Sequence, residues 1–507
     1  MTALFLRRRP LGRTLVLSLF VLAPIALPAA GEEREIDALK AQLETLVKQN
    51  QSLARSVEEL QQQVGEARDE ARAARDAASE APAVSAAPSY AGYGAGGAPG
   101  DPVAQTSLGG VRLQLLDISL DTLWAFGFST ADNEELPLLQ GGGHDPRQRG
   151  FNLPQIELSF SGAVDPYFTG EAHLVYFLDT ENESRFEVEE AFVQTLQLPF
   201  GLHELGAQLE LGTFFTEFGR LNPQHPHRWD WQDQPVVLSR FFGEDGLRGP
   251  GARLGWLLPL PWYSEVHLGA QNAHGETMTS FLANDEVFEE RPIGGRPFAK
   301  EGLRDAGDLL YLLRWVNGGD LSDTWAAQVG ASLLSGPNAT GSEGATRIYG
   351  LDWILKWQPL VSDRGWPFVK IEGEVMRRDY HADAFFGCAE EGDECDEPLA
   401  LSSRTLHDWG TYAQLLWGFR RPWAAGVRYE YASGSGASVG PYDGRSADPF
   451  RDDRHRVAPL LIYHPSEFTR FRLQYNYDRS DFSSEAANHT LWLGLEFGLG
   501  PHAAHAF

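Results

Sequence analysis

Beyond its first thirty residues, this 507-residue chain has no run of the ~18 to 20 apolar residues that a membrane-spanning helix needs, which excludes a helical membrane protein. Cysteine is almost missing: Cys388 and Cys395 are the only two, and they bracket an acidic segment at 389–394. In an exported chain they are expected to form a local disulfide, and no further thiol exists to complete a thiolate metal site. Positive charge is scarce, with 42 Lys and Arg against 70 Asp and Glu, and from residue 81 onward the lysines are Lys300, Lys356 and Lys370 alone. Such a balance excludes nucleic acid as a partner, because phosphate binding needs the opposite sign. No nucleophile motif stands beside a candidate base and orienting group, so nothing in the chain speaks for an enzyme.

What is present begins with an export signal. Arg7, Arg8, Arg9 and Arg13 precede an apolar stretch from Leu15 to Leu27 and a small-residue exit at Ala29-Ala30, so 1–30 reads as a signal peptide and the mature chain starts near Gly31. From there a heptad holds: Ile36, Leu43, Asn50, Val57 and Val64 at a positions, and Leu39, Leu46, Leu53 and Leu60 at d. An apolar seam this narrow has no reason to be stable alone, so 31–80 predicts an α-helical coiled coil and a homo-oligomer. Asn50 at an a position fixes register. Residues 81–110 are rich in Ala, Gly and Pro and read as a linker.

From 111 to 500 the pattern changes to short segments alternating at period two, separated by turn residues. Sixteen strands are predicted, at 112–129, 151–163, 167–179, 184–198, 205–218, 250–258, 262–273, 307–316, 323–335, 345–358, 366–379, 404–419, 422–433, 453–463, 467–480 and 487–499. Their connections alternate between tight turns and longer loops, the arrangement of an all-β transmembrane antiparallel barrel of about 16 strands. Arg347, Tyr349, Leu351, Trp353, Leu355 and Trp357 alternate with Ile348, Gly350, Asp352, Ile354 and Lys356, and Phe471, Leu473, Tyr475 and Tyr477 alternate with Arg470, Arg472, Gln474 and Asn476. One face of each strand suits lipid, the other a polar lumen. The expected place is the bacterial outer membrane, with the coil in the periplasm, the long loops outside and the His-containing tail, 501–507, on the periplasmic side.

The densest run of specialised residues falls in the loop at 219–249: Arg220-Leu221-Asn222-Pro223, then His225-Pro226-His227-Arg228-Trp229-Asp230-Trp231-Gln232-Asp233. A connection of this length is rarely mere connection. The stretch FFTEFGRLNPQHPHRWDWQDQPVVL, with GEDGLRGPGARLGWLLP after it and the HAAHAF ending, resembles a family of porin-related bacterial outer-membrane proteins sometimes labelled zinc-regulated TonB-dependent outer membrane receptors. More distantly the chain is similar to phosphate-selective porins with an N-terminal coiled coil. The resemblance implies an inward-folding constriction loop, here Arg220, Arg228, Trp229, Trp231 and Arg240. It also implies a trimer, and zinc as the transported ion rather than a required cofactor. Imidazole with carboxylate is a ligand set suited to zinc, so His225, His227, Asp230 and Asp233 are candidate ligands. His502 and His505, three apart, are a second candidate pair that could hand metal to a periplasmic acceptor.

The expected function is therefore a porin-like channel for small hydrophilic solutes, with divalent metal uptake as its specific form. Acidic loops would concentrate cations at the mouth. Three other readings stay open: a phosphate- or anion-selective porin with an Arg-lined constriction from Arg220, Arg228, Arg240, Arg248 and Arg253; an energised receptor; and a tether with a closed barrel whose coil binds the cell wall.

Overall fold

The computed structural model describes residues 104–108, 111–284, 287, 291–299, 302–388, 398–440 and 448–500. The signal, the heptad segment, Cys395 and with it the expected disulfide, and the tail carrying His502 and His505 lie outside the described residues.

Sixteen strands make the wall: β1 (Val111–Ser129), β2 (Gly150–Ala163), β3 (Phe168–Leu178), β4 (Ser184–Thr195), β5 (Ala207–Phe215), β6 (Arg248–Leu257), β7 (Tyr263–Asn272) and β8 (Leu309–Ser322). They continue with β9 (Trp325–Pro337), β10 (Ala345–Trp357), β11 (Phe368–Ala382), β12 (Arg404–Arg420), β13 (Trp423–Ser435), β14 (Arg454–Ser466), β15 (Thr469–Ser480) and β16 (Asn488–Leu499). Each pairs antiparallel with its neighbours in sequence, and β16 closes on β1 from Thr490↔Ser129 to Leu499↔Leu120, so the barrel has no open edge.

All sixteen expected strands are present, with shifted ends. The largest shift is in β8, which continues through Asn317-Gly318-Gly319-Asp320, read from sequence as a turn. There Gly318 pairs with Gln328 and Gly319 with Ala327, so cross-strand hydrogen bonds override the local turn preference. Part of the expected linker is also ordered, since Ala104–Leu108 folds back as a short strand on the start of β1.

The two faces divide as the alternation requires. On β10, Thr346, Ile348, Gly350, Asp352 and Ile354 are buried inward while Tyr349 and Leu351 are exposed outward. On β15, Arg470, Arg472, Gln474 and Asn476 are buried inward and Phe471, Leu473 and Tyr477 exposed. Exposed Trp256, Trp315, Trp417 and Trp423 lie toward the short-turn rim, with Phe128, Phe151 and Trp409 toward the long-loop rim. So much exposed apolar surface with aromatic belts is what a lipid-facing wall requires.

The interior is fuller than the open polar lumen expected from the strand pattern. Loop 216–247 and the segment 273–284 fold inward and build an apolar core: Phe218, Leu221, Val237, Leu238, Phe241, Phe242, Met278, Phe281 and Leu282 pack against Leu310, Leu312, Leu334, Ile348, Met376 and Tyr412 of β8 to β12. The short helix α1 (Val236–Phe242) within the first loop is buried along its whole length. Its β-branched and aromatic residues are no helix-forming set, so the enclosing barrel, not propensity, holds it.

Candidate functional site

Loop 216–247 is stapled at its base. Asn222 donates to the carbonyls of Thr216 and Leu247 at 2.7 and 3.0 Å and accepts from the Leu247 amide at 2.8 Å. The carboxylate of Glu374 on β11 accepts from the amides of Arg220 and Leu221 at 3.0 and 2.9 Å and from the Tyr412 hydroxyl at 2.8 Å. Gly219 adopts φ +64°, and a Cβ there would lie 2.0 Å from that carboxylate, so glycine alone permits the approach.

From this anchor the chain crosses the lumen. Trp231 reaches an inner apolar layer of Trp366, Phe368, Leu416, Leu460 and Ile462, and its indole N–H donates to the Ala458 carbonyl at 2.9 Å. The ladder between β14 and β15 lapses at Ala458 and Pro459, where proline has no N–H to give. Asp233 is fully buried against the opposite wall, paired with Arg428 and Arg456. Arg470 donates to the His227 carbonyl at 2.9 Å, and Arg472 to those of Trp229 and Trp231 at 3.2 and 3.1 Å. Asp230 pairs with Lys370.

Asp230 and Asp233 are therefore not brought to the imidazoles. His225 and His227 turn the other way, onto β2 to β4. His225 Nδ1 is 2.7 Å from Glu189 Oε2 and its Nε2 is 2.9 Å from Glu190 Oε2. His227 Nδ1 is 3.0 Å from Glu157 Oε2. His173 completes the group, with Nδ1 2.8 Å from Glu157 Oε1, Nε2 2.9 Å from Glu171 Oε1, and its ring centroid 4.3 Å from that of His225. Donor atoms of Glu157, His173 and His225 lie within 4.8 Å of one another.

A bulge makes this cluster. Across β3 and β4, His173 pairs with Glu190 and Leu174 with Val188, so Glu189 has no partner residue. The extra residue turns both Glu189 and Glu190 inward, where strict alternation allows only one. Burial pulls the His225 pKa down, but the carboxylates of Glu157 and Glu189 more than offset this and hold it well above the ordinary imidazole range. A divalent cation binding at this imidazole would displace a proton from the ligating nitrogen.

Arg220 pairs with Glu372 at 2.5 Å, Arg240 donates to the Asp452 carbonyl at 2.6 Å, Trp229 is buried, and Arg228 is exposed. Arg248 pairs with Glu187 at 3.1 Å, and Arg253 pairs with Glu210 and Glu217 at 2.8 and 2.6 Å. The residues that sequence reasoning passed over are Glu157, Glu171, His173, Glu189 and Glu190. Glu189-Glu190, adjacent carboxylates that break a strand's alternation, were the available signal.

A protein of Aquifex aeolicus (strain VF5), described as "Uncharacterized protein", is 31% identical over 414 residues, covering 78% of this chain and 80% of that one. The chain belongs to the family of that protein. No family model matches it. Among solved structures, similarity extends to the outer membrane channel DcaP of Acinetobacter baumannii (TM-score 0.44, 10% identity, 76% of this chain and 96% of that one). It extends also to OprB of Pseudomonas putida (0.42, 9%, 76% and 94%) and to an anion-selective porin from Comamonas acidovorans (0.41, 8%, 76% and 99%). Likeness at this level says nothing about the solute of this family, and the barrel rests on its own strand pairing.

Proposed function

We propose that this chain is an outer-membrane barrel, with its short turns in the periplasm and its long loops outside, that passes small hydrophilic cations through a lumen narrowed by its own inward loop. The solute is a divalent metal, zinc first. The observation that carries this reading is the sector between loop 216–247 and β2 to β4, where His173, His225 and His227 meet Glu157, Glu171, Glu189 and Glu190. An imidazole and carboxylate lining favours cations and suits zinc as a borderline ligand set. The export signal and the lipid-suited exterior support the location. The heptad at 36–64 supports a homo-oligomer, a trimer by resemblance, and His502 and His505 would face a periplasmic metal acceptor.

An anion-selective porin needs unengaged arginines at the constriction. Arg428, Arg454, Arg456, Arg470 and Arg472 do line one wall, but they are engaged by Asp233, Glu430, Asp478, Glu496 and loop carbonyls. That wall holds the loop. The apolar core inside the barrel favours a second reading, a barrel closed at rest that acts as receptor or cell-wall tether.

The test is the reversal potential of the purified oligomer in a planar bilayer across a potassium chloride gradient, with and without zinc. The expected result is cation selectivity with a current that zinc alters, and loss of that zinc effect when His173 and His225 are both replaced by alanine. Anion selectivity would overturn the reading. No current at all would move the closed barrel to the front.

A further inference from the structure

Between loop 130–149 and β4, three buried side-chain atoms with no hydrogen-bond partner among the described residues converge: His144 Nε2, Glu187 Oε1 and Glu189 Oε1. His144 Nε2 lies 3.7 Å from each of the two oxygens. That is too long for a hydrogen bond. It is close to the ~3.4 Å that separates two donors each about 2.1 Å from a shared tetrahedral ion. The His144 and Glu189 side chains are only 4% and 1% exposed, so water does not satisfy them from bulk.

Each donor is aimed by a second contact. His144 Nδ1 is 3.1 Å from the Pro154 carbonyl, which can only accept, so Nδ1 carries the hydrogen and Nε2 is the ligand atom. Glu187 is held through its other oxygen by Arg248 Nη2 at 3.1 Å, and Glu189 through its other oxygen by His225 Nδ1 at 2.7 Å. Arg248 Nη1 stands 3.8 Å from Glu189 Oε1, beyond hydrogen-bond reach. Asp245 offers a fourth oxygen, with donor atoms of His144, Glu187 and Asp245 all within 4.8 Å of one another. Three glycines, Gly141 to Gly143, let the loop pack closely here; a Cβ on Gly143 would meet Asp245 Oδ1 at 2.2 Å. A cavity of about 290 Å³ is bordered by Gly143, Pro154, Phe177 and the fourth ligand, Asp245.

We infer that His144, Glu187 and Glu189, with Asp245 as a fourth ligand, form a binding site for a divalent first-row transition metal, distinct from the His225 cluster and joined to it through the second oxygen of Glu189. One imidazole among carboxylates selects a borderline ion such as zinc over soft Cu(I). The site stands whether or not the barrel conducts.

The experiment is zinc(II) titration calorimetry on the full chain, folded in detergent and stripped of metal, repeated with cobalt(II) and its visible absorption. Wild type is expected to show a binding event that His144→Ala abolishes and that His227→Gln, which touches Glu157 but none of these ligands, retains. Gly143→Ala keeps every donor and displaces only Asp245; it is expected to weaken the same event by roughly tenfold. Heat-modifiable gel mobility and strand circular dichroism confirm that each variant is folded. The inference is overturned if wild type binds no zinc, if the His144→Ala titration superimposes on wild type, or if the event vanishes with His227→Gln alone. Zinc binding lost in His144→Ala in a barrel that carries no current would uphold this site and sink the channel reading.

Discussion

Asp233, in the inward loop, and Arg456, on the far wall, are joined by a buried ion pair of 2.8 Å between Oδ2 and Nη1. Arg428 pairs with the same carboxylate, and Gln474 and Asn476 each donate to it at 2.7 Å. Both oxygens of this carboxylate are satisfied at the far wall, and these contacts fix the loop there. In Asp233→Asn the shape remains but the two guanidiniums face an amide. Breaking a buried pair from one side costs on the order of 3–5 kcal/mol. The denaturant midpoint of the detergent-folded barrel should fall accordingly; an unchanged midpoint would show that the loop is held elsewhere.

Phe241 is fully buried in α1, with the Arg378 guanidinium 5.1 Å over its ring. Phe241→Ala removes the centre of a core that lies inside the barrel rather than around it. The expected cost is about 3–5 kcal/mol if the cavity does not collapse. Because that core fills lumen, the same substitution should raise single-channel conductance. A stability loss with unaltered conductance would mean that solutes pass only on the β2 to β4 side.

Trp231→Phe tests the gap in the wall at Pro459. The phenyl ring keeps most of the packing on Leu416, Leu460 and Ile462 but gives up the N–H that satisfies the Ala458 carbonyl. An unsatisfied buried acceptor costs about 1–3 kcal/mol. Thermal melting of the variant should therefore drop by more than packing loss alone explains, and Trp231→His, which restores a ring N–H, should recover part of it.

The strands were legible because lipid outside and polar groups inside impose period two on every one of them; Arg472 and Leu473 betray their faces without any tertiary knowledge. The importance of the loop from Arg220 to Asp233 was legible as well, from its histidines and indoles. Its partners were not. Asp233 and Arg456 are far apart in sequence and meet only because β16 closes on β1, and no local pattern encodes which wall a loop will lean on. His225 and Asp230 looked like neighbours in chemistry because they are neighbours in sequence, yet Pro226 opens a turn that sends His225 to Glu189 and Asp230 to Lys370. His144 was hidden for a different reason: one histidine after three glycines reads as loop until the bulge at Glu189 supplies its carboxylate.

Glu157 separates the metal reading of the constriction from a purely structural one. Its Oε1 lies 2.8 Å from His173 Nδ1 and accepts from the Ser159 hydroxyl at 2.9 Å; its Oε2 lies 3.0 Å from His227 Nδ1 and accepts from Gln155 at 2.7 Å. Glu157→Gln preserves the volume and one acceptor but removes the charge shared by three imidazoles. If the histidines serve only to pack the loop, the variant should lose stability and leave the zinc response of the current as it was. If the cluster binds the permeating ion, the zinc concentration that half-alters the current should rise by roughly tenfold, in line with the loss of a carboxylate that orients metal-ligating imidazoles. Selectivity for potassium over chloride should weaken at the same time, because the negative lining is what draws cations into this sector. Measuring the melting midpoint and the zinc response on one preparation decides between the two.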